Sequence, residues 1–261
     1  MLLQKPSLGA CIAQGPRVVG TMIQFDCSEI VEIAGLAGYD FVMLDAEHGA
    51  LDIGAVTRLI RAADAAGVAA MVRVPDQGAS FIQRALDAGA AGVLVPRVRD
   101  RAQAESAVRA ARFGPLGERG ACATSRAAGH WAPDWAAFAR RASAEALVWV
   151  LVEDPDGVER IAQIAAVEGL DALLFGALDL AQTLGLDGDV QHPRVKALFD
   201  TVHTAAQAHG LPLVAVTASE PGGMPGAVDR GARIVLDGFD AQIISAAYRE
   251  RLQRLRQGLR A

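Results

Sequence analysis

Lysine is almost missing from this chain: in 261 residues it occurs only at Lys5 and Lys196. Lys5 precedes the first strand-like run, and Lys196 lies in the helical run PRVKALFDTVHTAAQAHG. Neither can act as an amine nucleophile on an interior strand, so Schiff-base chemistry in a sheet core is excluded. Cysteine is scarce too. Cys11, Cys27 and Cys122 are odd in number, far apart and without metal-ligand spacing, which argues against a disulfide framework and predicts a reduced, cytoplasmic setting. No apolar run approaches the roughly 20 residues that span a bilayer. The start MLLQKPSLGA has no cationic segment followed by a long apolar one, so neither a membrane span nor a signal peptide is expected. A formal charge of −5 and a pI near 5.6 argue against a nucleic-acid or acidic-membrane surface. GxGxxG, P-loop, CxxC and an ordered Ser-His-Asp set are absent as well.

What remains is a chain that is 52% hydrophobic and 21% charged, enough for one large α/β core spanning residues 1–261. Strand-like and helix-like segments alternate. VVGTMIQF, FVMLDAE, AAMVRVP, GVLVPRV, VWVLVE, DALLFGA, LPLVAVT and ARIVLDG read as strands, each followed by a segment with helical apolar spacing. Residues 115–143 read as irregular, and a terminal helix is expected from about Ala241 to Gln257. Eight such units force parallel strands, and in this length they predict a closed (β/α)8 TIM barrel. A doubly wound open sheet usually carries a glycine-rich loop after its first strand, and IQFDCSE is not one.

In a parallel barrel the carboxyl ends of the strands build the ligand site. Those ends carry Asp45, Glu47, His48, Arg73, Arg97, Glu153 and Asp179. Glu153 and Asp179 close neighbouring strands. Two carboxylates brought together repel unless a cation lies between them, and a hard divalent ion held by only two carboxylates keeps open positions. The competing reading makes both acids salt-bridged helix caps. Arg73 is either a rim ion pair or a rigid cationic fork facing a developing oxyanion. His48, with Asp45 three residues before it, is either structural or an oriented general base. The histidines at 130, 192, 203 and 209 read as surface.

The segments DAEHG, VRVP, IQRALDAGAAGVLVPRV, PLGERG, DPDGVERIAQIAAVEGLDALLFG and GALDL, taken in order, resemble the HpcH/HpaI family of metal-dependent pyruvate aldolases from about Gly20 to Asp240. The resemblance implies a barrel of the phosphoenolpyruvate/pyruvate-domain type and reversible cleavage of 4-hydroxy-2-oxo acids to pyruvate and an aldehyde. It implies that Glu153 and Asp179 bind Mg2+, Mn2+ or Co2+. Arg73 would contact the ketone or enolate oxygen, His48 paired with Asp45 would move protons through water, and Glu47 would support that network. The turn Gly176-Ala177-Leu178-Asp179 would offer backbone amides to the substrate carboxylate. A homo-hexamer with exchanged terminal helices is also implied, and the segment holding Trp131 could reach a neighbour's pocket.

Two positions depart from the family. Leu151 stands where glutamine is usual, and Ala177-Leu178 where Pro-Ala is usual. An isobutyl group two residues from Glu153 predicts an apolar wall and a preference for apolar acceptors over acidic ones. A condensing enzyme or lyase using a 2-oxo acid and an acyl thioester is the alternative on the same barrel, and arginine-rich RVRDRAQ leaves room for it. A non-catalytic assembly protein would have no need of the full set of polar residues.

Overall fold

The computed structural model describes residues 7–15 and 17–259, so Lys5 lies outside the described residues. The chain runs α1 (Leu8–Gln14), β1 (Val18–Ile23), α2 (Ser28–Ala37), β2 (Phe41–Asp45), α3 (Ile53–Ala66), β3 (Ala69–Arg73), α4 (Ala79–Asp87), β4 (Gly92–Val95) and α5 (Arg101–Ala111). It continues with α6 (Trp135–Glu145), β5 (Leu147–Val152), α7 (Pro155–Glu159), α8 (Ile161–Ala165), β6 (Ala172–Phe175), α9 (Ala177–Thr183), α10 (Pro193–Ala208), β7 (Leu213–Val216), α11 (Gly223–Asp229), β8 (Ile234–Phe239) and α12 (Asp240–Gly258). All eight strands pair in parallel and in sequence order, and β8 closes on β1. The fold is the expected (β/α)8 barrel.

Alternation along the strands sorts the apolar residues into two layers. One set faces the helices, where Val42, Leu44, Val72, Val93, Val148 and Val150 pack with Leu59, Ile60, Ile82 and Ile164. The other fills the barrel with Met22, Phe41, Met43, Met71, Leu94, Trp149, Leu151 and Leu174. Phe41 meets Trp149 edge to face at 5.6 Å. Gly20 makes room for that ring, since a Cβ there would lie 2.3 Å from Phe41. Leu8 and Ile12 of α1 join this interior cluster, which also holds Val18 and Leu147 from the first residues of β1 and β5.

Aspartate caps set several helix starts. Asp52, Asp100, Asp134 and Asp154 each accept a hydrogen bond from the backbone N–H three residues on. One of them corrects the sequence reading. The stretch read as irregular contains α6, which starts at the Asp134 cap and packs Phe138 and Trp135 against Phe113. The terminal helix α12 is longer than expected by one residue at each end, and Asp240 is its only buried residue.

Candidate active site

The carboxyl ends of β2, β3, β5 and β6 bring together most of the polar residues singled out above. Asp45, last in β2, is opposite Arg73, last in β3, in the strand register. Both side chains turn into the barrel mouth. Arg73 Nε donates to Asp45 Oδ1 at 2.8 Å and Nη2 to Oδ2 at 2.7 Å, a two-pronged contact. Burial alone would push the Asp45 carboxyl upward. The Arg73 fork, the Gln24 amide at 2.9 Å and the His48 backbone N–H outweigh it and hold Asp45 below its ordinary value. Burial pulls the Arg73 guanidinium down, but Asp45, Glu47 and Glu153 raise it further. Arg73 therefore keeps its charge at the floor of the mouth.

This geometry corrects one expected pair. Asp45 does not orient the His48 imidazole. Its Oδ1 accepts from the backbone N–H groups of Glu47 and His48, at 3.1 and 3.2 Å. The turn after β2 carries the imidazole outward, where the side chain is 56% exposed and Nε2 lies 3.8 Å from Glu47 Oε2. Glu47 is thus the acid beside His48. Its buried carboxylate is ringed by cations: Arg73 Nε is 3.6 Å from Oε2, and Arg97 Nη2 is 3.0 Å from Oε1. Even so, Oε2 has no hydrogen-bond partner among the described residues although it is buried.

Glu153 follows β5 and is buried, with Oε1 accepting from the Arg97 backbone N–H at 2.9 Å. Burial raises its carboxyl from 4.5 to about 7, with Asp179 and then Glu47 adding to the rise, against small reductions from the Arg97 N–H and Arg73. Asp179 is the third residue of α9, exposed, and without a hydrogen bond or ion pair among the described residues. Neither acid is a helix cap. The cap of α7 is Asp154, whose Oδ1 accepts from Gly157 at 2.8 Å, and α9 begins at Gly176 without a side-chain cap. The structural reading required both acids to be neutralised, and they are not.

Gly176 is needed for space. A Cβ there would lie 2.3 Å from the Glu153 Cβ and 3.1 Å from its Oε2. Its own N–H is spent on Val152 at 2.9 Å, so Gly176 is no free amide donor. The amides of Ala177, Leu178 and Asp179 open α9, where a helix leaves its first N–H groups without acceptors. Leu178 is 61% exposed, and Leu151 is 2% exposed in the barrel interior, beneath Glu153 rather than beside it.

Donor chemistry fits a hard divalent ion: oxygen ligands, carboxylate in type, with an unrelieved negative charge between them. Glu153 and Asp179 are the residues that would hold it. Two site residues escaped the sequence reading. Gln24, just past β1, supports Asp45, while Asp240 accepts from the Gln24 and Phe25 N–H groups at 3.0 Å each and ties β8 to β1. Both are polar residues at strand ends, the signal already used for Arg73 and Glu153.

Residues 23–247 match the family model described as HpcH/HpaI aldolase/citrate lyase. The chain belongs to that family. It is accordingly a carbon–carbon lyase. A 4-hydroxy-2-oxovalerate aldolase of Novosphingobium aromaticivorans is 31% identical over 98% of this chain and 96% of its own. An HpcH/HpaI aldolase from Desulfitobacterium hafniense superposes with a TM-score of 0.88 at 32% identity, covering 95% of this chain and 96% of that one. The citrate synthase SbnG superposes equally well, with a TM-score of 0.88 at 30% identity over 98% and 99% of the two chains. Among the described residues no helix is long and apolar enough to cross a membrane.

Proposed function

We propose that this family member cleaves 4-hydroxy-2-oxo acids reversibly to pyruvate and an aldehyde, with a divalent cation held by Glu153 and Asp179. The observation that carries the reading is the pair of unneutralised acids beside a buried, fully charged Arg73. The cation (Mg2+, Mn2+ or Co2+) supplies Lewis-acid polarisation of the 2-oxo group and charge to set against the enolate. Arg73, fixed by Asp45, presents its remaining N–H groups to the oxygen on which that negative charge develops. The open amides of Ala177, Leu178 and Asp179 receive the substrate carboxylate, while Gly176 leaves room for Glu153. His48, exposed and next to Glu47, takes the C4 hydroxyl proton through water. The C3–C4 bond breaks, its electrons pass to the enolate, and a proton returns to C3 as pyruvate forms. Asp45 acts on this chemistry through Arg73 and the His48 backbone. Leu151 contributes as the floor under Glu153.

The functional unit we propose is a homo-hexamer. Beyond Asp240, no residue of α12 is fully buried among the described residues, and Ile243, Tyr248, Leu252 and Leu255 are exposed, so the helix suits exchange between copies. Exposed Trp131 is a candidate to meet a neighbour's mouth. Light scattering at micromolar concentration tests this, and a monomer would rule it out.

Likeness to the citrate synthase SbnG favours one second reading, condensation of a 2-oxo acid with an acyl donor on the same site. One experiment separates the two. Purified protein is given pyruvate, a panel of aldehydes and each metal in turn, and in parallel oxaloacetate with an acyl thioester. Metal-dependent aldol product that survives borohydride supports the aldolase. A borohydride-trapped pyruvate adduct, or turnover of the thioester alone, overturns it.

A further inference from the structure

We propose that Arg230, on the outer wall of the barrel, is a positioning residue for the cation site: through Phe199 and Phe175 it fixes the turn that carries Asp179. The inference rests on the reading of Glu153 and Asp179 as cation ligands, and it adds a residue outside the mouth.

The turn after β6 has little to hold it from the solvent side. α9 starts without a side-chain cap, and Asp179 makes no hydrogen bond or ion pair among the described residues. The turn is held from beneath instead, by Ala177, Leu180 and Ala181 in the layer under the helices and by Phe175, the last residue of β6. Gly176, next along, lies so close to Glu153 that a Cβ would come within 2.3 Å of the Glu153 Cβ. A shift of Phe175 therefore reaches both acids: it moves the start of α9 and crowds Glu153.

Phe175 is backed by Phe199 of α10, whose ring meets it edge to face at 5.5 Å. The Arg230 guanidinium lies over the Phe199 ring, 5.1 Å from its centroid, where a cation is drawn to the π-face. His203 corrects the sequence reading of a surface residue: it is half-buried and stacks on the same ring at 6.0 Å, with the planes 9° apart. Arg230 is itself held in place. Its Nη2 donates to the buried Glu220 carboxylate and to the Pro221 carbonyl, the latter at 2.7 Å.

A close-packed wall would fix the ring unaided. This wall is not close-packed. α11 is only seven residues long, and its run GMPGAVD is poor in helix formers. Between it and α10 lies a cavity of about 270 Å³, with Phe199, His203, Val214, Ala227 and Arg230 in its lining. At about 30 Å³ for each water of liquid, that is room into which a ring can tip. Arg230, braced by Glu220, keeps Phe199 against Phe175.

Calorimetric titration with Mn2+ tests this on wild type, Arg230→Lys, Phe199→Leu and the double variant. Arg230→Lys leaves Glu220 a cation but no planar group to lie over the ring. It should weaken Mn2+ binding about three- to tenfold, within what a cation–π contact can transmit. Phe199→Leu should weaken it by a similar factor, and the double variant no more than Phe199→Leu alone. In turnover the loss should fall on the Mn2+ concentration for half-maximal rate more than on kcat. Glu220→Gln keeps an acceptor for Arg230 and should bind Mn2+ within about twofold of wild type. A purely structural arginine would lower the melting temperature and leave the Mn2+ affinity of the folded protein unmoved, which overturns the inference. Full additivity in the double variant overturns it too, since both residues are held to act through one ring. So does Glu220→Gln matching Arg230→Lys, because the loop after β7 would then carry the effect. If Arg230→Lys does not fold, Phe199→Leu decides: weakened binding sustains the inference and wild-type affinity ends it. Glu153→Gln separates the failures. Binding that Glu153→Gln abolishes and Arg230→Lys spares sinks the positioning role alone. Binding that survives Glu153→Gln, or none to wild type, sinks the cation site and the positioning role with it.

Discussion

The barrel interior and the barrel mouth are built by the same strands two residues apart, yet they obey opposite rules. Below, Met71 and Leu151 belong to a dry apolar layer with Phe41 and Trp149. One step up, β3 and β5 deliver Arg73 and Glu153. The lower layer gains from close packing and lost water, and nothing in it asks for a ligand. The upper layer holds a carboxyl displaced to about 7, a buried Glu47 carboxylate oxygen with no hydrogen-bond partner among the described residues, and an arginine in a left-handed turn. Stability lies in one layer and unresolved charge in the other. The alternation of a strand makes such a sharp boundary possible, since every second residue faces the axis.

The largest effect should come from removing a charge that the mouth does not compensate. Glu153→Gln is expected to lower metal-dependent kcat/KM roughly a thousandfold or more. The same variant should unfold at a higher temperature than wild type without metal at pH 8. Burial lifts Glu153 from 4.5 to about 7, so its contribution to stability is full below about pH 4.5 and disappears as pH climbs through 7. The neutral amide avoids that loss, which is on the order of 3 kcal/mol. Thermal melts and steady-state assays on one preparation check both halves. A variant that loses activity and stability together would erase the contrast between the layers.

Phe41→Ala tests the other side. Phe41 is fully buried against Trp149 and the space over Gly20. Its truncation should cost about 3–5 kcal/mol by denaturant unfolding. Turnover per folded molecule should fall far less than in Glu153→Gln. A collapse of turnover at unchanged stability would show that the interior tunes the site.

The sequence made the lower layer easier to read than the upper. Strands buried on both faces appear as apolar runs, so all eight were visible, as was their closure into a barrel. Glu153, Asp179 and Arg73 were visible for a related reason, because a charge ending such a run is conspicuous. Side-chain direction was not. Asp45 and His48 are three residues apart and looked like partners, but Asp45 ends a strand facing inward while His48 follows a turn. Register across two strands, not spacing along one, gives Asp45 to Arg73. Gln24 and Asp240 each stand at a strand end, but the contact that joins them spans 216 residues of chain, and no local pattern shows that pairing. The left-handed backbone of Arg97 has no signature in the residue types around it. Helix α6 did have one, the cap at Asp134 ahead of an alanine-rich stretch.

Arg73 gives a finer comparison, because it belongs to both layers' concerns. Its removal as Arg73→Ala would strand the fully buried Asp45 carboxylate, and breaking a buried pair this way costs about 3–5 kcal/mol of stability. Loss of activity in that variant therefore cannot be read as chemistry alone. Arg73→Lys keeps a cation for Asp45 and removes the planar fork. It should remain folded, with kcat lowered roughly a hundredfold and the metal affinity little changed. Calorimetric titration with Mn2+ and a turnover assay separate the two roles. Wild-type kcat in the lysine variant would reduce Arg73 to an ion pair for Asp45.

The smallest expected effect is a matter of pH, and it concerns the mouth alone. A cation at Glu153 and Asp179 competes with the proton that Glu153 carries below about pH 7. Above that pH the carboxylate is already bare, and affinity should change little. Below it each unit of pH should cost up to tenfold, so Mn2+ should bind about tenfold more weakly at pH 6 than at pH 8. Close to one proton should be released per ion bound at pH 6, measurable as a dependence of the binding enthalpy on the buffer. Phe41→Ala, altered only in the lower layer, should show the same pH dependence as wild type, and Glu153→Gln should show none. If affinity is flat from pH 6 to 8, Glu153 is ionised throughout, and the unneutralised charge at the mouth must already be balanced within the chain.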